Sequence, residues 1–234
     1  MSYPIRGVLF DKDGTLFDFG ATWNSWAAVM LLDLAGADQG RAASLGARMG
    51  YDYAAGAFDP TSAVIAGTPE DIVKLLLPGV PELSAEDLVH RINAAAARAP
   101  QVEAVPLGPL IKLLRAQGLK LGVATNDAET PARAHLAGVG QEQAFDFIAG
   151  YDSGYGGKPA PGMCLGFAKA VKLDPAEVIM VGDSTHDLEA GRAAGMRTIA
   201  VLTGMAQAAE LAPLAHVVLP HIGHLPDWIA SQNR

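Results

Sequence analysis

Short apolar runs that stop abruptly at polar clusters set the rhythm of this chain. Ile5 to Phe10 (IRGVLF) is the first, followed at once by Asp11, Asp13 and Gly14. It reads as a buried strand running into a loop. From Phe17 to Glu103 the sequence turns Ala-rich and helical in period, and no good strand is expected there. Thr22 to Leu34 is one helix. Thr68-Pro69-Glu70-Asp71 supplies a cap, a first-turn proline and first-turn acids for another, and Ser84-Ala85-Glu86-Asp87 starts a third.

From Val105 helices and strands alternate. Leu107, Leu110, Ile111 and Leu114 have helical spacing behind Pro106, and Gly118 can stop that helix. Strands are predicted at Leu119 to Ala124, Phe145 to Ala149, Val178 to Val181, Thr198 to Leu202 and His216 to Leu219. Helices are predicted at Ala128 to Ala137, around Cys164 to Val171, and from the fourth polar cluster to Ala194. This alternation implies an α/β domain with a mainly parallel sheet covered on both faces. The expected division is a core of residues 1–16 and 104–234, with a small helical insert at 17–103. Ligands of such sheets bind at the carboxyl ends of the strands, and the polar clusters fall there.

Composition narrows the function. With 234 residues, half of them hydrophobic, the chain can bury a core. A formal net charge of -8 argues against a nucleic-acid partner. It leaves room for a small phosphorylated substrate, because a local lysine and a metal ion can override global charge. The single cysteine, Cys164, permits no intramolecular disulfide and fits a reducing cytoplasm. No signal peptide is expected in MSYPIRGVLFDKDG, and no run reaches the roughly twenty apolar residues of a membrane span. No membrane partner is expected, and the chain is expected as a monomer or a homodimer.

Four clusters carry chemistry. Asp11 and Asp13, one residue apart on near-extended backbone, would point the same way. Two carboxylates held together need a shared cation or a proton. Magnesium, which takes oxygen ligands, suits them; an acidic turn is the plain alternative. In the second cluster, Thr125 and Asn126 could hydrogen-bond phosphate oxygens or cap the next helix. In the third, Lys158 stands in a rigid Gly/Pro loop, where a fixed cation can neutralise an oxyanion. In the fourth, Asp183 could complete a metal site, with Asp187 facing back toward it from a first helical turn, or Asp183 and Ser184 could cap that helix.

Taken together and in this order, the clusters resemble the haloacid dehalogenase-like hydrolase superfamily. DKDGTLFD is similar to its first motif, VATND to its second, GGKPAPG to its third and GDSTHDLEAG to its fourth. Lys158 to Met196 resembles phosphoglycolate-phosphatase-type members in particular. The resemblance covers 1–16 and about 104–220. It implies a Rossmann-like three-layer core with a small all-helical cap of the first type inserted after the first strand.

It also implies roles. Asp11 would be the nucleophile of an aspartyl-phosphate intermediate, and Asp13 the acid and then the base. Thr125, Asn126 and Lys158 would hold the phosphoryl oxygens. Asp11, Asp13 through its backbone carbonyl, and Asp183 would hold Mg2+, with Asp187 orienting that shell or Lys158. An acid at position 13 favours phosphate esters over the dehalogenase branch, whose leaving halide needs no proton. The expected activity is therefore a magnesium-dependent phosphomonoesterase acting on a small phosphorylated metabolite, phosphoglycolate-like or a sugar phosphate. A sugar phosphomutase and a non-catalytic binder of phosphorylated ligands are the alternatives.

Other residues are read more plainly. Cys164 belongs to a helix's apolar face, and His221 and His224 sit in a tail without a metal role. Trp23 and Trp26 pack cap helices, though Trp23 could border the substrate pocket. Arg41, Arg48, Arg91 and Arg98 could read an anionic substrate or simply be solvated.

Overall fold

The computed structural model describes residues 3–233. The chain enters through strand β1 (Gly7–Phe10), whose four residues are all buried, as a strand covered on both faces requires. It then leaves the sheet along a two-stranded stem, in which Asp18 N donates to Val102 O (2.8 Å) and Ala104 N to Leu16 O (2.9 Å).

Between the limbs of this stem lie helices α1 (Phe19–Leu34) and α2 (Gln39–Arg48), short antiparallel strands β2 (Tyr51–Asp52) and β3 (Ala57–Phe58), and helices α3 (Pro69–Leu76) and α4 (Ala85–Ala96). The two expected caps form, Thr68 and Asp71 making a reciprocal box and Ser84 accepting from Asp87 N, while α1 starts three residues before the expected Thr22, capped by Asp18, which accepts from Ala21 N. The ribbon β2–β3 departs from the helical reading of this insert. Two residues a side are too few for a period-two pattern, and the ribbon is pinned instead by Tyr51 against Phe58, rings 5.0 Å apart. The insert has its own apolar cluster, including Trp26, Leu31, Leu45, Leu76, Leu88 and Ile92.

Past the stem the chain runs α5 (Leu107–Ala116), β4 (Lys120–Ala124), α6 (Glu129–Gly138), β5 (Phe147–Ala149), α7 (Gly162–Val171), β6 (Val178–Gly182), α8 (Thr185–Ala193), β7 (Arg197–Val201), α9 (Ala208–Leu211), β8 (Val217–Leu219) and α10 (Leu225–Gln232). The six long-range strands pair in parallel in the order β5-β4-β1-β6-β7-β8. Alternation along each strand builds two cores. Val8, Phe10, Ile179 and Val181 join α5, α6 and α10 on one face, while Leu9, Val178 and Met180 join Cys164 and Phe167 of α7 on the other. Cys164 is fully buried there, and burial pushes its thiol pKa up to about 12.

Strand order positions the site. From β1 the sheet grows outward through β4 on one side and through β6 on the other. That reversal opens a crevice at the carboxyl ends of β1, β4 and β6. Among the described residues no helix is long and apolar enough to cross a membrane.

Candidate active site

All seven residues singled out for chemistry, Asp11, Asp13, Thr125, Asn126, Lys158, Asp183 and Asp187, line one pocket at that crevice. Asp11 leaves β1 with its N–H still donating to Val181 O at 2.8 Å, so the ladder to β6 fixes where its carboxylate starts. Gly14 then turns the chain away at φ +82°, and a Cβ there would stand 2.3 Å from Asp183 Oδ2. Only glycine meets both the positive φ and this close approach. Asp183 Oδ1 also accepts from Thr15 Oγ1 at 3.3 Å.

Lys158 spans the crevice at the carboxyl ends of β1 and β4. Its Nζ donates to Asp11 Oδ1 (2.5 Å), Asp187 Oδ1 (2.6 Å) and the Ala124 carbonyl at the end of β4 (2.8 Å). Three contacts satisfy the three donors of an ammonium. Burial disfavours its charge, but the Asp11 and Asp187 carboxylates outweigh that and hold its pKa above the ordinary lysine value. Asp187 is tied from the other side, its Oδ2 accepting from Ser184 N (3.0 Å) and Ser184 Oγ (2.7 Å) in a capping box at the start of α8. Capping and site-building, alternatives in the sequence, are here one arrangement.

Asn126 lines the pocket, yet its amide is committed to protein. Its Nδ2 donates to Ala66 O and Lys158 O, both at 2.9 Å, and its Oδ1 accepts from Lys158 N at 2.8 Å. Thr125 Oγ1 accepts from Asp127 N at 3.0 Å.

Carboxylate oxygens of Asp11, Asp183 and Asp187 lie within 4.8 Å of one another, close enough to share one metal ion. Burial raises the pKa of Asp11 to about 7, opposed by Lys158 and assisted by the like charges of Asp187 and Asp13. Burial, then Asp11 and Asp187, also push Asp183 well above the carboxylate range. Protein charge alone leaves these acids under-compensated.

The haloacid dehalogenase-like hydrolase family model matches residues 5–195, which takes in all seven residues singled out for chemistry. The chain belongs to the haloacid dehalogenase-like hydrolases. A phosphoglycolate phosphatase from Rhodospirillum rubrum is 31% identical over 120 residues, 51% of this chain; this chain spans about half the length of that relative, 50%. A phosphoglycolate phosphatase from Nitrosospira multiformis is 28% identical over 211 residues, covering 86% of this chain and 85% of its own. In structure, a haloacid dehalogenase-like hydrolase from Bacteroides fragilis superposes with a TM-score of 0.73 at 22% identity, covering 94% of this chain and 99% of that one. At that identity the likeness shows the fold.

Within this hydrolase frame one residue escaped the sequence reading. Lys12 is wholly buried. Its Nζ lies 2.8 Å from Asp13 Oδ1, 2.7 Å from Asp13 Oδ2, 3.3 Å from Asp127 Oδ2 and 2.9 Å from His135 Nδ1. The Asp127 contact is ionic, without hydrogen-bond alignment. Burial disfavours the Lys12 charge, but Asp13 and Asp127 hold its pKa up. His135 Nε2 lies 2.7 Å from the carbonyl of Ala96 in α4. A carbonyl only accepts, so Nε2 carries the proton and Nδ1 accepts from Lys12. Burial, then Lys12, lower the His135 pKa to about 4, in keeping with that neutral tautomer. The expected pair Asp11 and Asp13 therefore does not share one cation from the protein: Asp11 takes Lys158 and Asp13 takes Lys12.

The loop after β7 was also missed. Thr203 Oγ1 donates to Gly14 O at 2.6 Å, and a Cβ on Gly204 would stand 1.7 Å from Asp183 Oδ2. Of the cap arginines, none lines the pocket; Arg41 pairs with Glu82 and Arg91 with Asp33. Trp23 does line it, together with Trp26.

Proposed function

We propose that this hydrolase is a magnesium-dependent phosphomonoesterase, with Asp11 as nucleophile, acting on a small phosphate ester. The observation that carries this reading is the Lys158 ammonium bridging Asp11 and Asp187 beside Asp183 at the ends of β1, β4 and β6. The phosphatase names of the relatives support the same activity.

Charge favours a divalent cation. Asp11, Asp13, Asp127, Asp183 and Asp187 face only Lys12 and Lys158 in this cluster, an excess of acids that a 2+ ion offsets. The donors are all oxygen, which selects a hard ion such as Mg2+. Asp11, Asp183 and the main-chain carbonyl of Asp13 would hold it, with Asp187 bracing Lys158. Bound there, it would supply charge to offset the phosphoryl oxygens.

The protein's own groups perform the rest. Lys158 holds Asp11 Oδ1, leaving Oδ2 to attack phosphorus. As the Oδ2–P bond forms and the P–O bond to the alcohol breaks, Asp13 delivers its proton to the departing oxygen. A water then attacks the aspartyl phosphate while Asp13 takes the water's proton, which restores Asp11 and releases phosphate. Lys158, its three donors held by Asp11, Asp187 and Ala124, would offset phosphoryl charge from its place beside Asp11, and the Thr125 hydroxyl would donate to a phosphoryl oxygen. Asn126 acts through Lys158, whose backbone it clamps on both sides.

A phosphomutase must hold a bisphosphate, which calls for a second anion site. Among the described residues lining the pocket, Lys158 is the only lysine and there is no arginine, which counts for hydrolysis. Phosphate release from an aryl phosphate tests the reading. It should need Mg2+, stop with a chelator, and be absent in Asp11→Asn.

A further inference from the structure

The two halves of the pocket differ in chemistry. The floor is the charged cluster of the core. The wall facing it comes from the insert and includes Phe19, Trp23, Trp26, Phe58, Ile72 and Ile92. Every residue that the insert contributes to this wall is apolar or glycine. From these observations, and resting on the phosphatase reading, we propose that the substrates are phosphate monoesters of apolar alcohols, aryl-methyl or alkyl, rather than phosphoglycolate or sugar phosphates.

Charge carries the first part of the argument. Phosphoglycolate brings a carboxylate beyond its phosphate, and burying it demands a cation or several donors. Among the described lining residues the one lysine is Lys158, and its three donors go to Asp11, Asp187 and Ala124. Lys12 lies wholly beneath the surface and is spent on Asp13, Asp127 and His135. The arginines of the insert lie elsewhere. Asp13, Asp127, Asp183 and Asp187 would repel a second anion.

Hydroxyl recognition carries the second part. A sugar needs a donor or acceptor for each buried hydroxyl. The side-chain polar atoms of the insert wall are the two indole N–H groups of Trp23 and Trp26. The Trp26 Nε1 is buried with no partner among the described residues. An indole donates one hydrogen bond and accepts none. The core side adds His186, whose Nδ1 has no partner among the described residues, and Ser184, whose hydroxyl is spent on Asp187. The pocket therefore serves one or two neutral oxygens and leaves the rest of a polyol unsatisfied.

Packing carries the third. Trp23 and Trp26 meet edge to face, rings 5.1 Å apart at 84°. The Lys12 ammonium stands over the Trp23 ring, 5.3 Å from its centroid. The indole surface that lines the pocket offers an aromatic or aliphatic group dispersion contacts that water does not match. The hydrolysis itself is unchanged: water enters, and alcohol and phosphate leave.

The test compares four esters of primary alcohols, so that leaving-group basicity stays comparable: benzyl phosphate, hexyl phosphate, 2-phosphoglycolate and glucose 6-phosphate. Initial rates are measured on the Mg2+-loaded full chain. The expected result is a kcat/KM about 100-fold or more higher for the benzyl and hexyl esters, the scale on which a pocket separates matched from mismatched groups. Equal or higher values for phosphoglycolate or glucose 6-phosphate would overturn the inference and leave the phosphatase reading standing. No phosphate from any of the four would overturn both. Trp23→Ala adds a control that needs no new substrate. It should lower kcat/KM for benzyl phosphate about tenfold, while kcat/KM for glucose 6-phosphate, which depends equally on the Lys12–Asp13 pair under that ring, and competitive inhibition by inorganic phosphate both stay within about twofold. A glucose 6-phosphate kcat/KM or a phosphate inhibition constant that moves as much as the benzyl phosphate value would assign Trp23 to the fold of the site and contradict its role in the leaving-group wall.

Discussion

The ammonium of Lys12, wholly buried, stands 2.7 Å from Asp13 Oδ2 and 2.9 Å from His135 Nδ1. One lysine thus ties the proposed acid of the site to α6. Through His135 and the Ala96 carbonyl it ties that acid to the last turn of α4 in the insert as well. Removing one member of a buried ionic cluster leaves the others uncompensated, typically at a cost of about 3 kcal/mol or more. Lys12→Met should lower Tm by roughly 6–12 °C for a domain of this size. It should also lower kcat about tenfold or more, with KM nearly unchanged, because Asp13 loses its fixed position rather than the substrate its contacts. A melt and a kinetic run check both. Unchanged kcat would show that Lys12 serves the fold alone.

Metal binding should depend on pH in a definite direction. The folded pKa of Asp11, about 7, stands above its ordinary value of 3.8. Between these values the metal-free folded state binds more protons than the unfolded one. The stability that Asp11 contributes is therefore present below pH 4 and lost as pH rises through about 7. A cation needs the ionised form and must displace that proton below pH 7. The rise in Tm on adding saturating Mg2+ should therefore be larger at pH 8 than at pH 5. Differential scanning fluorimetry at the two values suffices, and a larger rise at pH 5 would be inconsistent with Asp11 as a ligand.

Gly204 should matter to the metal although no motif includes it. Its missing Cβ leaves room for Asp183, which a methyl group would meet at 1.7 Å. Gly204→Ala should shift Asp183 and raise the Mg2+ concentration for half-maximal activity about tenfold or more, the usual consequence of disturbing a ligand's support. Titration of activity with Mg2+ reads this directly, and an unchanged half-point would show that the loop yields instead.

Much of the frame was legible because parallel strands buried on both faces leave continuous apolar runs. IRGVLF and VIMV announced β1 and β6, and the acids after them announced the crevice. The ribbon β2–β3 left no such trace, since each strand has two residues. Lys12 was passed over because an alternating backbone would turn it away from Asp11 and Asp13. In the fold, the loop that opens at Gly14 lets its long stem reach the Asp13 carboxylate. Gly204 and Thr203 lie far from the four motifs in sequence and meet them only through the pairing of β6 with β7. Of the apolar pocket wall only Trp23 was legible, as a possible border of the pocket. Nothing in the sequence separates Phe19, Phe58 and Ile92 from the rest of the insert's apolar residues, and only the fold brings them to the pocket of Asp11.

The central claim, covalent catalysis by Asp11, is tested most directly by trapping the acyl phosphate. Enzyme quenched during steady-state turnover of benzyl or aryl phosphate with Mg2+, reduced with borohydride and digested, should yield homoserine at position 11. The same treatment of Asp11→Asn should yield none, along with no phosphate release. Reduction at another carboxylate, or sustained turnover by Asp11→Asn, would contradict the account.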